Sequence, residues 1–411
     1  MDALLFCSYS GKRVSGSDST VYRCSKGIVM ILKTYKYRLY PSKAQNRMLE
    51  QTVETCRRWY NTGLAERKTA WENEKRSLSK FEQLGKVKDY RKENPYAAQL
   101  HSHVLQVVVA DLDKAFQAFF RRVQSGEAPG YPRFKGRNRF DSFGLKEYGN
   151  GFKVDGRRLK ISGIGRVRVR WHRPIEGKIK TVRIRRQAGD WYACFTCEVP
   201  EHPLPPTGKA VGIDVGVHHL LATSEGEVVE NPRWYRAEQQ KLRVIQRRVS
   251  RRKKGGSNRR KAVLELQRQH LHIANCRKDY LDKLVHHFIM HYDIIALEDL
   301  QIKGMVRNHH LSKSILDAGW GYLKTHLSGK AVEAGREVVL VNPAYTSKTC
   351  CSCGTVFSEL SLGDRWVNCP CGLSLDRDVN AALNILKRAG RALWDESTAI
   401  GLRLSHEAPL L

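Results

Sequence analysis

The hydrophobic period of the chain changes three times. From Met30, "MILKTYKYRLYP" alternates apolar and polar positions and stops at Pro41, as a half-buried strand would. The spacing then lengthens. Met48, Leu49, Val53, Cys56, Trp59, Tyr60 and Leu64 recur at helical intervals, so residues 42–72 read as a helix with Ser42 at its N-cap. Leu100, Val104, Leu105, Val108, Leu112, Phe116 and Phe119 mark a second strong helix over about 99–124, with a polar helical segment between the two. Then period two returns in "RVRVRW" (166–171) and "KTVRIRRQAGDWYACFTCEV", where Gly189-Asp190 supplies a turn. This reads as one small β-unit interrupted by a helical insertion. "PEHPLPPTGK", with four prolines, reads as a linker.

After the linker the pattern is α/β. A strand at 209–216 leads to a hairpin at Ser224-Glu225-Gly226 and a strand near 228. Long basic helices cover 233–290, followed by the strand "DIIALE", a helix over 314–334, the strand "EVVLV", a cysteine cluster and a helix over 376–388. Acids stand at three telling places: Asp214 inside the apolar strand "AVGIDVGV", Glu298 at the end of "IIALE", and Asp376 and Asp378 where the last helix opens. A carboxylate within an apolar strand is costly unless compensated, and a divalent cation shared by converging acids is the most effective compensation. The order of elements is that of an RNase H-like fold, in which three such acids meet at one end of the sheet. There they would hold two Mg²⁺ or Mn²⁺ about 3.5–4 Å apart for phosphodiester hydrolysis. Asp376 reads as an N-cap, and Asp299 falls on the opposite strand face from Glu298 and reads as solvated.

Composition narrows the partner. Among 411 residues, 72 Lys and Arg stand against 41 acids, a formal net charge of +31. Such a field repels itself and suits a polyanion, and no apolar run approaches the roughly 20 residues that span a bilayer, so nucleic acid is favoured over a membrane. The run Lys241–Lys261 carries eleven basic residues and no acid, among them Arg251, Arg252, Lys253 and Lys254, and reads as phosphate-binding. "GYPRFKGRNRF" interleaves Tyr131 and Phe134 with Arg133 and Lys135, a mixture suited to stacking and backbone contact with RNA. The start "MDALLFCSYSGKRVSGSDST" lacks the features of a secretory signal. With that, the eleven cysteines read as reduced in a cytoplasm, and the five between 350 and 371 read as a metal site. Cys350-x-x-Cys353 is a zinc knuckle, while the second pair, Cys369-Pro370-Cys371, is one residue shorter than the usual C-x-x-C. The expected ligand set is Cys350, Cys353, Cys369 and Cys371. Cys351 is an alternative fourth thiol, and a metal-free ribbon is the competing reading. Cys194 and Cys197, three apart in a strand, face opposite ways and read as packing.

Taken together, "YKYRLYP", "GIDVGV", "ALEDLQIKGM", "SKSILDAGWG", "TSKTC" and "DRDVNAALNIL" resemble, in order, the TnpB (OrfB) proteins of bacterial and archaeal insertion sequences, over about residues 30–388. The resemblance extends to the compact type V CRISPR effectors related to that family. It implies an RNA-guided DNA endonuclease with a RuvC-like domain, working with a guide RNA encoded at the element's end and with target DNA that carries a short flanking motif. By position it implies Asp214, Glu298 and Asp378 as the nuclease acids, Asp378 being the acid of the D-x-N-A-A pattern. It also implies a domain plan. A wedge β-domain (30–41 and 125–203) carries a helical recognition lobe (42–124). A RuvC-like nuclease (204–342 and 374–390) carries an inserted zinc ribbon (343–373). An extension (1–29), disordered or preceding the true start at Met30, and a tail (391–411) complete it. The expected state is a cytoplasmic monomer bound to RNA. The alternatives are a DNA-binding transposition accessory protein, a guide-directed repressor without nuclease activity, and a compact type V CRISPR effector.

Overall fold

The computed structural model describes residues 21–23, 29–137, 139–361 and 363–397. The expected N-terminal extension falls almost wholly outside this range, as does the tail beyond residue 397. The chain divides into two compact units, Met30–Pro200 and the chain from Glu201 onward.

After a short strand β1 (Val21–Arg23), β2 (Val29–Tyr40) opens the first unit and five helices follow: α1 (Lys43–Glu74), α2 (Lys80–Gly85), α3 (Val87–Glu93), α4 (Pro95–Ala98) and α5 (Ser102–Gln124). The remaining strands are β3 (Ser142–Leu145), β4 (Glu147–Tyr148), β5 (Gly151–Asp155), β6 (Arg158–Ile161), β7 (Gly165–Arg170), β8 (Lys178–Gln187) and β9 (Asp190–Pro200). They pair in the order β3-β8-β9-β2-β7-β6-β5-β4, antiparallel except for β4 with β5. Alternation is strict in β9: Trp191, Ala193, Phe195, Cys197 and Val199 are buried, so Cys197 points inward and Cys194 to the other face. The β8–β9 turn sits one residue earlier than its sequence signal. Its central residues are Ala188 and Gly189, both at positive φ (48° and 88°), as a right-twisted two-residue hairpin requires. Ser42 does cap α1, in a reciprocal box with Gln45. Met48 lies one position off the buried stripe and is exposed.

The second unit builds a five-stranded sheet in the order β12-β11-β10-β13-β14. Its strands are β10 (Ala210–Val215), β11 (His219–Thr223), β12 (Val228–Glu230), β13 (Ile294–Glu298) and β14 (Glu337–Val341). The neighbours β10–β13 and β13–β14 are parallel; β11 and β12 are antiparallel additions. Between them run α6 (Trp234–Arg251), α7 (Ser257–His291), α8 (Ile302–Met305), α9 (Ser312–Ala318) and α10 (Trp320–Ala334). The helix expected over 314–334 is two helices, broken at Gly319, whose φ of 74° ends α9. Asp317 is buried and accepts hydrogen bonds from the Tyr235 amide and from Arg277, tying α9 to the start of α6 and to α7. A small hairpin, β15 (Trp366–Asn368) and β16 (Ser374–Asp376), runs directly into α11 (Arg377–Ser397), which extends beyond the expected end at 388.

Period two sorts the central strands between two layers. Val211, Ile213, Ile295 and Leu297 pack with Leu281, Val285 and Phe288 of α7 and with Leu323 and Leu327 of α10. The alternate positions, Ala296 and Val341 among them, pack with Ile385 and Ala389 of α11. Gly212 lies where α11 comes closest. A Cβ there would stand 2.1 Å from the Ala382 carbonyl oxygen and 2.9 Å from Leu386. Backbone cannot yield to such a contact, so only glycine fits. Gly212→Ala is expected to destabilise the protein by about 3 kcal/mol or more, read as a lower urea midpoint with an unchanged slope.

Candidate nuclease centre and cysteine cluster

The face that α11 covers is also the face of the acids. Gly212 and Asp214 alternate with Val211 and Ile213 on β10, and Glu298 follows Ala296 on β13 by two residues. Gly212 pairs with Ala296 and Ile213 with Leu297, so one more step of that parallel register sets Asp214 beside Glu298. Asp376 accepts hydrogen bonds from the Asp378 and Val379 amides at 2.8 and 3.2 Å, which makes it the N-cap expected from the sequence. Asp378 is thereby held in the first turn of α11 and is buried.

Glu298 and Asp378 both lie close enough to Asp214 to act on its charge. Burial pushes the Asp214 carboxyl up to about 8, the charges of Glu298 and Asp378 push in the same direction, and Arg377 and the Val215 amide oppose them. Asp214 remains partly open to solvent. Burial also raises Glu298, against a hydrogen bond from the Thr346 hydroxyl and the charge of Arg388. Asp378 Oδ1 lies 3.7 Å from Arg377 Nε and 3.9 Å from an Arg365 guanidinium nitrogen. Neither contact is short enough for a bidentate pair. Three neighbouring carboxyl groups match the oxygen donor set of a hard divalent cation. Asp299 turns away from this group to Lys324, 2.5 Å distant.

Arg365 is a residue that sequence reasoning missed. It also lines a cleft of about 640 Å³ with His218, Arg233, Arg236, His310 and Lys313. No sequence signal groups these residues, because four separated segments contribute them. The basic residues singled out in the sequence lie elsewhere. Arg251, Arg252, Lys253 and Lys254 are exposed at the tip between α6 and α7. In the first unit, Asn61 and Arg57 hold the backbone of Lys135, leaving Arg133 and Phe134 exposed. Tyr131 is partly committed to packing, with its ring edge-to-face at 5.5 Å from both Phe116 and Phe119.

The sulfur atoms of Cys350, Cys353, Cys369 and Cys371 all lie within 4.8 Å of one another. The pairs Cys350–Cys371 and Cys353–Cys369 stand 3.7 and 3.5 Å apart. A tetrahedron of sulfurs about 2.3 Å from zinc has edges of about 3.8 Å, so the four thiols fit such an ion. The short C-x-C knuckle reaches because it is the loop of the β15–β16 hairpin. There the Cys369 amide donates to Leu373, the Gly372 amide donates to Cys369, and Gly372 takes φ 93°. Hydrogen bonds from Thr355 draw the Cys353 thiol down to about 6, while its neighbours in the same cluster push the Cys369 thiol up to about 12, so without a metal the cluster favours one thiolate, at Cys353. Cys351 stays outside the cluster, buried, with its amide on Asn380.

With this geometry in place, family profiles match three stretches: "Probable transposase" over 194–309, "Helix-turn-helix domain" over 30–76, and "Cas12f1-like, TNB domain" over 320–385. The stretch 30–76 folds here as strand β2 and the single long helix α1. A Streptomyces pristinaespiralis protein named "Putative RNA-guided DNA endonuclease" is 35% identical over 87% of this chain and 89% of its own. The chain belongs to the TnpB (OrfB) family. Another similar member is InsQ of Escherichia coli K12, 32% identical over 88% of this chain and 93% of its own, with the same descriptive name. Among solved structures, the protein of a Cas12f1–sgRNA–target DNA complex superposes with a TM-score of 0.56 at 13% identity, over 87% of this chain and 98% of that one, and so shares the fold. Among the described residues of this TnpB-family chain, no helix is long and apolar enough to cross a membrane.

Two outcomes follow from the site. In metal-free protein, between about pH 4 and pH 8 folded Asp214 keeps a proton that the unfolded chain releases, so this group makes stability fall as pH rises through that window. Asp214→Asn should therefore raise the melting temperature in chelator at pH 8, by on the order of 2 kcal/mol of stability, and leave it little changed at pH 4. For the cysteines, elemental analysis should find one zinc per chain. Cys371→Ser should lose it and Cys351→Ser should keep it.

Proposed function

We propose that this chain is an RNA-guided DNA endonuclease encoded by a transposable element, cutting target DNA beside a short flanking motif. The observation that carries the reading is the gathering of Asp214, Glu298 and Asp378 at one end of the sheet, where burial first, and then the charges of Glu298 and Asp378, raise Asp214 far above its ordinary range. Their carboxylates are the groups that would hold two Mg²⁺ or Mn²⁺, which when bound supply an activated water and stabilise the leaving oxygen. Asp376 fixes Asp378 through the helix cap, and the parallel register fixes Asp214 against Glu298. Arg365 and Arg377 place positive charge beside Asp378, where a DNA phosphate must come to be cut. The basic cleft that Arg365 shares with Arg233, Arg236 and Lys313 gives the strand a path toward the acids.

In this reading the strands at 30–41 and 125–203 form the wedge, a barrel-like domain, and residues 42–124 the recognition lobe. Residues 204–342 and 374–390 form the RuvC-like nuclease, and 343–373 a zinc ribbon. A guide RNA from the element's end supplies sequence recognition by base pairing, and the exposed cations at 133 and 251–254, with the half-buried Lys135, hold nucleic acid backbones. The active particle is a cytoplasmic monomer with its RNA.

The test is to express the protein with the DNA that flanks its gene, sequence the RNA that co-purifies, and challenge the complex with a plasmid carrying the matched target. A defined RNA and metal-dependent cleavage are expected, with Asp214→Ala slower by about a thousandfold or more, equivalent to roughly 4 kcal/mol in the barrier. If no specific RNA co-purifies, or if Asp214→Ala cuts as fast as wild type, the assignment is wrong.

A further inference from the structure

The Thr346 side chain is buried to 3% exposure, and its hydroxyl donates to Glu298 Oε1. The Pro343 carbonyl, at 3.1 Å, is a second and more distant acceptor for the same proton. The backbone that carries this hydroxyl is clamped in place. Asn384 donates to the carbonyls of Thr346 and Thr349 at 2.9 and 2.6 Å, and Asn380 donates to Thr349 at 2.8 Å. Arg388 holds the carbonyls of Asn342 and Ala344, so the loop is pinned on both sides of Thr346. All three clamping side chains project from α11, the helix that carries Asp378 in its first turn. Tyr345, immediately before Thr346, is a non-glycine residue at φ 62°, and the clamp maintains that conformation. The same loop enters the cysteine cluster at Cys350.

From this network we infer that Thr346 is a positioning residue for Glu298, through which the cysteine ribbon and α11 set where that carboxylate presents its oxygens to a divalent cation. The inference rests on the reading of Glu298 as a metal ligand. A hydroxyl on one carboxylate oxygen fixes the rotation of the whole group and leaves the other oxygen to the cation. Removing such an outer partner ordinarily weakens metal affinity or activity about 10–100-fold. Valine at 346 keeps the shape and loses the hydroxyl; serine keeps the hydroxyl.

The experiment compares Thr346→Val, Thr346→Ser and Glu298→Gln as RNA-bound complexes. Mn²⁺ binding is titrated by electron paramagnetic resonance, with the Glu298→Gln complex as the baseline for ions held by RNA. Target cleavage is measured in parallel against Mg²⁺ concentration. Zinc content and RNA retention certify the fold. Thr346→Val should weaken the Glu298-dependent Mn²⁺ binding about tenfold or more and raise the Mg²⁺ requirement for cleavage correspondingly, and Thr346→Ser should restore both. Wild-type Mn²⁺ binding and Mg²⁺ dependence in Thr346→Val, or a Thr346→Ser as impaired as Thr346→Val, overturns the inference. If the valine variant loses RNA or zinc, Thr346→Ala carries the same comparison. A Glu298→Gln complex that binds Mn²⁺ and cleaves like wild type fails differently: it removes Glu298 from the metal site and the inference with it.

Discussion

The second unit depends on one close approach, that of α11 to Gly212. With no side chain at that position, the helix backbone settles onto the central strand at the Ala382 carbonyl. Ala381 and Ala382, both fully buried, keep the helix side of the contact equally small. Because α11 lies this low, its first turn arrives at the end of the sheet where Asp214 and Glu298 stand. A larger residue would lift the helix and carry Asp378 away with it. Packing and chemistry here are one constraint: "GID" on the strand and "DVNAA" on the helix are two halves of a single fit.

That fit stores electrostatic tension. Asp214 is pushed to about 8 by burial and by its two acidic neighbours, and the nearest guanidinium groups do not neutralise the cluster. Near neutral pH the metal-free site relieves this by keeping a proton on Asp214, and a divalent cation would take that proton's place. The cysteine hairpin belongs to the same arrangement. Its second strand ends at Asp376, the cap of α11, while its entry loop is gripped by Asn380, Asn384 and Arg388 further along that helix. A structural metal in the ribbon would therefore stiffen both ends of the segment that delivers Asp378 and touches Glu298.

Much of this was legible in the sequence for a physical reason. Buried strands and amphipathic helices must repeat their apolar positions, so period two and period 3.6 mark β2, β9, α1 and α5 closely. The strand acids were visible because charge in an apolar run is anomalous. The Asp376 cap was visible because helix starts have a small vocabulary. Errors came where local signals are weak. The β8–β9 turn moved by one residue because Ala188 takes a positive φ that composition does not announce. The supposed long helix over 314–334 broke at a glycine that sequence reading passes over. The four thiols expected as ligands do gather, but the hairpin that lets the shortened knuckle reach was not visible, because its two short strands carry no clear alternation.

By itself the sequence determined the order of elements, where acids and cysteines stand in it, and the family, because each is written in residue types at fixed spacing along the chain. Only the tertiary structure decided which distant groups meet. The parallel register that sets Asp214 beside Glu298, the Arg365 approach to Asp378, the exclusion of Cys351 and the hydroxyl of Thr346 on Glu298 all join segments tens of residues apart. Periodicity reports which face of an element is buried. It carries no information about which side chain from elsewhere lies against that face, and the chemistry of this centre resides in those pairings.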